Sequence, residues 1–242
     1  MFSIISFPEL PSTNDYLKHL VETHKAPDNL LIFTLHQSNG RGQFQRKWFS
    51  EPGLDLAFSF YQRKNLDSTP FQPALFVMSV CLALVKTFDT FGIKCKVKWP
   101  NDLLYGSKKI AGVLLESFVQ DKKIHIITGI GINMNSHRNN DAELNSISML
   151  DIRKVLTGPE DVLKAFEQNY ESVMNLFDDD LVLETYNKAL YKLNEKVSLK
   201  MNSEGEWITG ILKGVDARGR LCLKTGSGII HVHHGQGSLV RD

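Results

Sequence analysis

The stretch between Lys108 and Asn133 constrains the fold of this chain most. Lys108-Lys109-Ile110-Ala111-Gly112-Val113-Leu114-Leu115-Glu116 and His125-Ile126-Ile127-Thr128-Gly129-Ile130-Gly131-Ile132-Asn133 are apolar runs joined across Gln120-Asp121-Lys122-Lys123. Two such runs around a short polar turn read as an antiparallel hairpin. Gly112, Gly129 and Gly131 interrupt the strand interiors, which costs stability unless another group must approach the backbone there. Three such glycines in neighbouring strands point to a flat ligand lying against the sheet. Taken singly, each reads equally well as a bulge.

Further strands and helices precede this hairpin. Phe2 to Phe7 reads as a strand, and Glu9 to Asn14 as a turn into a helix with Tyr16, Leu17, Leu20 and Val21 on one face. Ser12 or Thr13 either caps that helix, worth about 1 kcal/mol, or hydrogen-bonds a small polar ligand. Leu30 to His36 is a second strand and runs into Gly40-Arg41-Gly42-Gln43-Phe44-Gln45-Arg46-Lys47-Trp48. Glycine removes the Cβ that would hold an anion away, and arginine presents a planar fork to phosphate or carboxylate. The loop is thus an anion cradle or, alternatively, a basic turn that buries Trp48.

Leu54 to Phe60 alternates as a half-buried strand does. Gln72 to Thr90 forms a long helix with a broad apolar face that covers the sheet. Lys94 to Lys98 alternates and ends in Trp99-Pro100-Asn101-Asp102, where proline keeps Trp99 extended and presents Asn101 and Asp102 at a strand end. An Asx turn is the local alternative.

Asn139-Asn140-Asp141 marks a polar loop, and helical signals then run from Ser148 to about Lys192, with Pro159 early in the main helix. Asp178-Asp179-Asp180 reads as a solvated break able to cap a helix. From Glu195 the pattern changes to short strands, Val197 to Met201, Trp207 to Val215, Leu221 to Leu223 and Ile229 to His233, separated by turns that include Ser203-Glu204-Gly205. A small antiparallel barrel is expected there. His231, His233 and His234 read as surface histidines, because no cysteine or carboxylate clusters with them along the chain.

With 242 residues, 42% of them hydrophobic and 23% charged, the chain has ample material for a core and room for a second, small domain. Its formal charge of +1 lacks the basic excess of a general nucleic-acid binder. Cys81, Cys95 and Cys222 are widely spaced and odd in number, which suggests no disulfide framework and fits a reducing cytoplasm. The apolar start has no basic n-region and is cut by Pro8 and Pro11. No window reaches the roughly 18 to 20 continuous apolar residues of a membrane span. Neither nucleic acid nor membrane is an expected partner.

Taken in order, Ser12-Thr13-Asn14, GRGQFQRKW, KWPND, KKIAGVLLE and GIGINMN, followed by a small barrel, resemble the biotin protein ligases over nearly the whole chain. The resemblance implies an α+β fold. Residues 1–192 would form a catalytic domain, a mixed sheet backed by helices like the core of class II aminoacyl-tRNA synthetases, and residues 193–242 an SH3-like barrel. It also implies the short form, without the N-terminal DNA-binding domain of some members.

Carried over by motif, Ser12, Thr13 and Gln37 would hold the ureido ring of biotin, and Gly129 and Gly131 would let the bicyclic ring lie close to the strand. Gly40, Arg41 and Gly42 would close over the biotin carboxylate and the α-phosphate, and Arg46 would reach the triphosphate. Lys109 would bridge carboxylate and phosphate, and Leu114 would pack on the apolar tail. Lys98, Asn101, Asp102 and Asn133 would line the nucleotide side. Asp102 would coordinate Mg²⁺ or help deprotonate the incoming lysine.

The implied enzyme is an ATP-dependent biotin ligase. It forms biotinyl-5′-AMP and transfers biotin to a lysine of a biotin carboxyl carrier domain, as a monomer or homodimer. Gln43 and Gln45 depart from the usual GRGRxGRxW loop, Asp55 stands where asparagine is usual, and Arg241 matches the barrel end only loosely. Gln43 and the lack, beyond Asn133, of a tryptophan of the kind that stacks on adenine in some members leave open a non-catalytic biotin-binding or regulatory protein, and a ligase for lipoate or another acyl chain is a further alternative.

Overall fold

In the computed structural model, which describes residues 1–67, 70–138, 145–202 and 205–240, the central hairpin is formed by Lys108–Gln120 and Lys123–Ile132. Gln120 pairs with Lys123. Asp121 and Lys122 between them both have positive φ, 50° and 57°, the two-residue turn whose twist matches the strands it joins. The expected loop at Asn139-Asn140-Asp141, Ser203 and Glu204 of the expected turn, and Arg241 lie outside the described residues.

In chain order the strands are β1 (Ser3–Phe7), β2 (Leu30–Thr34), β3 (Leu56–Asn65), β4 (Lys96–Lys98), β5 (Asp102–Tyr105), β6 (Lys108–Gln120), β7 (Lys123–Ile132), β8 (Lys196–Met201), β9 (Trp207–Val215), β10 (Leu221–Thr225), β11 (Gly228–Val232) and β12 (Gly237–Leu239). The α-helices are α1 (Thr13–Glu22), α2 (Pro73–Thr90), α3 (Met149–Arg153), α4 (Pro159–Leu176) and α5 (Asp179–Ala189). The expected elements thus form, with β2 and β4 shorter than the alternation suggested and β5 and β12 added. The chain divides into two compact units, Met1–Pro73 with Lys108–Glu167, and Ala74–Ser107 with Gln168–Asp242.

The first unit is built on a mixed sheet in the order β1-β2-β3-β7-β6, with β1 and β2 parallel and the other pairs antiparallel. Alternation along β3 sends its residues to two faces. Phe58 and Phe60 meet Phe166 of α4 on one face, with ring centroids 5.1 and 5.9 Å apart. On the opposite face Tyr61 joins Leu17 and Val21 of α1, Ile32 and Ile127 in a buried cluster. Ser59 shares that second face and is fully buried. A polar group is therefore built in beneath α1.

In the second unit β4 and β5 form a hairpin in which Lys98 pairs with Asp102. The C-terminal strands form an antiparallel sheet ordered β11-β10-β9-β8-β12, and Leu199, Leu212, Leu221, Leu223 and Leu239 are buried along it. This is the strand set expected of the SH3-like domain. Asp178 caps α5 by accepting from Leu181 N at 2.8 Å. By length and composition α2 could cross a membrane, yet 61% of that window is buried inside the protein, as in the core helix of a globular fold.

His231, His233 and His234 are exposed, as expected, but the premise that no cysteine or carboxylate gathers with them fails. Asp216 and Cys222 do cluster with His231, because strand pairing joins positions that no sequence spacing puts side by side.

Candidate active site

The site begins where β1 gives way to α1. Ser12 is the N-cap and its side chain accepts from Asp15 N at 3.3 Å, so the capping reading of the hydroxyl turn holds. The next two residues do more than cap. Thr13 donates from its backbone N–H (2.9 Å) and its hydroxyl (3.2 Å) to Gln37 Oε1. Ser59 Oγ lies 2.7 Å from both Thr13 Oγ1 and Asn14 Oδ1, and Asn14 Nδ2 donates to Glu116 Oε2 at 2.9 Å. A row of polar groups thus crosses the sheet from Gln37, just after β2, to Glu116 on β6.

Its far end meets the glycine-arginine loop. Arg41 Nε donates to Asp15 Oδ2 at 3.0 Å, its NH2 group pairs with the other oxygen of Asp15, and the same group reaches Glu116 Oε2 at 3.1 Å. The hydrogen bond that Arg41 donates to Asp15 raises the Arg41 pKa; burial opposes this and the charge of Glu116 adds to it. The loop closes on itself through Trp48 N to Gly40 O (2.9 Å) and Gly42 N to Arg46 O (2.7 Å). A Cβ on Gly40 would lie 2.5 Å from Gln37 Nε2 and 2.6 Å from Trp48 O, so the loop neck admits no side chain.

At two of the strand glycines, Gly129 and Gly131, the groups that approach the backbone are side chains of the protein. A Cβ on Gly129 would stand 2.2 Å from Asn14 Oδ1, and one on Gly131 would stand 2.3 Å from the Trp48 ring. Leu114 pairs directly with Gly129 and so shares its face. Lys109 Nζ sits 5.2 Å from the centroid of the Trp48 ring, a cation held over an indole. Trp48 Nε1 is buried with no hydrogen-bond partner, as is Ser146 Oγ on the segment bridged to Lys109. Buried donors left unpaired are costly, and a polar ligand would relieve both.

The first unit therefore brings together Ser12, Thr13, Gln37, Gly40, Arg41, Gly42, Lys109, Leu114, Gly129 and Gly131. Arg46 is on the same loop with an exposed side chain. Asn133 is buried, and its amide donates to Lys109 O (3.1 Å) and Ile147 O (3.2 Å), so it holds the start of the strand that carries Lys109.

Lys98, Asn101 and Asp102 belong to the second unit, where the β4–β5 turn is held firmly. Tyr186 OH donates to Pro100 O at 2.8 Å and Trp99 Nε1 to Gly219 O at 2.9 Å. Asn101 is buried and Asp102 partly so.

Sequence reasoning assigned no role to Asn14, Asp15, Ser59 or Glu116, and to Trp48 only burial beneath a basic turn. Ser59 did carry a signal, a hydroxyl in the apolar run Leu56-Ala57-Phe58-Ser59-Phe60. Glu116 carried none, because a carboxylate near the end of a strand reads as solvated.

The family model described as "Biotin/lipoate A/B protein ligase family" matches residues 6–133, and that described as "Biotin protein ligase C terminal domain" matches residues 192–236. The "Bifunctional ligase/repressor BirA" of Bacillus subtilis is 26% identical, covering 94% of this chain and 71% of that protein; its Escherichia coli namesake is 28% identical, covering 92% and 69%. The solved biotin protein ligase of Aquifex aeolicus in complex with biotin and ATP superposes with a TM-score of 0.81 at 26% identity, over 99% of each chain. A family model spanning more than half of the chain, seated on the strands and loop that build this site, places the chain in the biotin/lipoate A/B protein ligase family, as a biotin ligase.

Proposed function

We propose that this ligase activates biotin with ATP as biotinyl-5′-AMP and then transfers the biotinyl group to a lysine of a biotin carboxyl carrier domain. The observation that carries the reading is the polar row Gln37–Thr13–Ser59–Asn14, which leads through Glu116 to Arg41, together with Lys109 held over the Trp48 indole, whose buried N–H is unpaired. A ureido ring offers both donors and an acceptor to such a row, and its aliphatic tail suits Leu114. The carboxylate at the end of that tail suits the cations.

The first step joins two anions. A carboxylate oxygen of biotin attacks the α-phosphorus of ATP, the bond to the β-phosphate oxygen breaks, and pyrophosphate leaves. Lys109 and Arg41 offset the repulsion between the acids and stabilise charge in the transition state. Arg41 exchanges its hold on Asp15 and Glu116 for the ligand's anion, so those two carboxylates keep it oriented until then. Arg46 extends towards the triphosphate. Asn133 acts through Lys109, whose carbonyl it holds.

We assign Lys98, Asn101 and Asp102 to the nucleotide. Asn101 and Asp102 offer amide and carboxylate oxygens, the hard donors Mg²⁺ takes, and when bound the ion neutralises phosphate charge. In the second step the ε-amine of the carrier lysine attacks the anhydride carbonyl and AMP leaves. The loop around Arg41 shields the anhydride from water in between.

The test is to incubate the chain with biotin, ATP, Mg²⁺ and a recombinant carrier domain, following pyrophosphate release and the mass of the carrier. The expected result is one added biotinyl group with stoichiometric pyrophosphate. Pyrophosphate without carrier modification rejects the transfer step, neither product rejects the activity, and preferential use of lipoate in a mixture rejects the substrate.

A further inference from the structure

The C-terminal sheet of the second unit gathers three different metal-binding side chains. Cys222 on β10 and His231 on β11 are directly paired in register, and Asp216 begins the turn between β9 and β10. Cys222 Sγ lies 3.5 Å from His231 Nδ1, and Asp216 Oδ2 lies 3.4 Å from the same nitrogen. All three donor atoms are within 4.8 Å of one another. Tetrahedral zinc, with bonds of about 2.3 Å to sulfur and about 2.0 to 2.2 Å to nitrogen and oxygen, sets its ligands roughly 3.3 to 3.6 Å apart. Both of these distances fall in that interval, and the third pair, Cys222 Sγ and the Asp216 carboxylate, lies within 4.8 Å. We propose that Asp216, Cys222 and His231 form a binding site for a zinc-class divalent cation, with the fourth position open to water.

The backbone prepares this arrangement. The β9–β10 register shifts between Cys222 and Leu223, and Gly214, opposite Cys222, has φ 134°, which an L side chain adopts only with strain. Asp216 Oδ1 accepts from the backbone N–H groups of Arg218 (3.0 Å) and Arg220 (2.9 Å), so the other oxygen is aimed at the histidine. The mixed sulfur, nitrogen and oxygen set selects zinc-class ions over Mg²⁺ or Ca²⁺, which take oxygen.

Arg220 sets the strength of the site. Its Nε and NH2 lie 2.7 and 2.6 Å from Asp216 Oδ2, so a metal competes with a guanidinium for one ligand oxygen. The site is therefore a weak, exchangeable one. Burial and the charge of Asp216 push the Cys222 thiol up; on binding, the sulfur–metal bond replaces the S–H bond and the proton goes to solvent.

The full chain, reduced and free of ATP, is titrated with Co²⁺ and back-titrated with Zn²⁺. One equivalent of Co²⁺ is expected to give a thiolate-to-cobalt charge-transfer band and tetrahedral d–d bands, both lost on adding Zn²⁺. Loss of a ligand in Cys222→Ser, His231→Gln or Asp216→Asn weakens binding by more than the about 10 to 100-fold typical of a lost outer-shell partner. Zn²⁺ also slows alkylation of Cys222 by iodoacetamide, read by peptide mass. Unchanged circular dichroism and metal-free ligase activity in Cys222→Ser separate lost binding from lost fold. Absence of the charge-transfer band in the wild type, or its survival in Cys222→Ser, overturns the proposal.

Discussion

Arg138 is paired with Asp55 in the interior of the first unit, with side chains 9% and 0% exposed. Asp55 also accepts from Glu51 N (2.9 Å), Met134 N (3.0 Å) and Ser136 Oγ (2.6 Å), while Arg138 donates to Phe49 O at 3.2 Å. The carboxylate that stands where the family resemblance led us to expect an amide is thus answered by a cation and three neutral donors. The pair fastens the chain just after the glycine-arginine loop to the end of β7.

Breaking such a pair leaves one buried charge unanswered. Arg138→Met is expected to lower stability by about 3 to 5 kcal/mol, measured as a shift of the urea midpoint at constant m-value. Adding Asp55→Asn to that variant should recover part of the loss, since the uncompensated charge is then removed. A double variant as unstable as the sum of the singles contradicts a charge-based account.

Lys109 is held over Trp48, and Asn133 fixes its carbonyl. Under the proposed reaction, Lys109→Ala should lower pyrophosphate release by about 10² to 10³, the scale for removing one aimed electrostatic group. Wild-type release in this variant removes the central role given to the lysine. Asn133→Ala should lower the same rate through displacement of Lys109, with a smaller effect on biotin binding.

Gly129 has no room for a methyl group. Gly129→Ala drives a carbon into Asn14 Oδ1, and a displacement of about 1 Å at a substrate-positioning group costs on the order of 10² in rate. The expected result is a fall of that size in kcat/KM for biotin, with the KM for ATP little changed. Asn14→Ala in the same background makes room and should restore packing without restoring biotin affinity, since the amide is lost.

Tyr186 anchors the turn that carries Asn101 and Asp102. Tyr186→Phe removes the donor to Pro100 O, and a positioning loss of about 1 kcal/mol corresponds to about fivefold in an equilibrium constant. The KM for ATP should rise by that order while the KM for biotin stays constant. Equal rises in both would assign Tyr186 to general stability.

Much of this arrangement was legible beforehand, for identifiable reasons. The hairpin of β6 and β7 followed from two apolar runs and a polar turn, and a cap at Ser12 or Thr13 from the hydroxyls before an apolar helical face, with the structure deciding for Ser12. The cradle residues Thr13, Gln37 and Arg41 could be named from motifs. Their connection through Ser59 could not, since a strand serine is ambiguous until the register sets it under α1. Glu116 was equally silent, because its partners Asn14 and Arg41 lie on other elements far away in the chain.

The chain alone determined the elements and their periods, since turn chemistry and apolar spacing act between neighbours a few residues apart. It also determined that cations and glycines share one loop. Only the tertiary structure decided that Asn14 and Trp48 fill the spaces above Gly129 and Gly131, that Asp55 meets Arg138, and that Cys222 faces His231. Those relationships depend on cross-strand register and on which face each strand turns towards its helix, and both are set by packing the whole sheet at once.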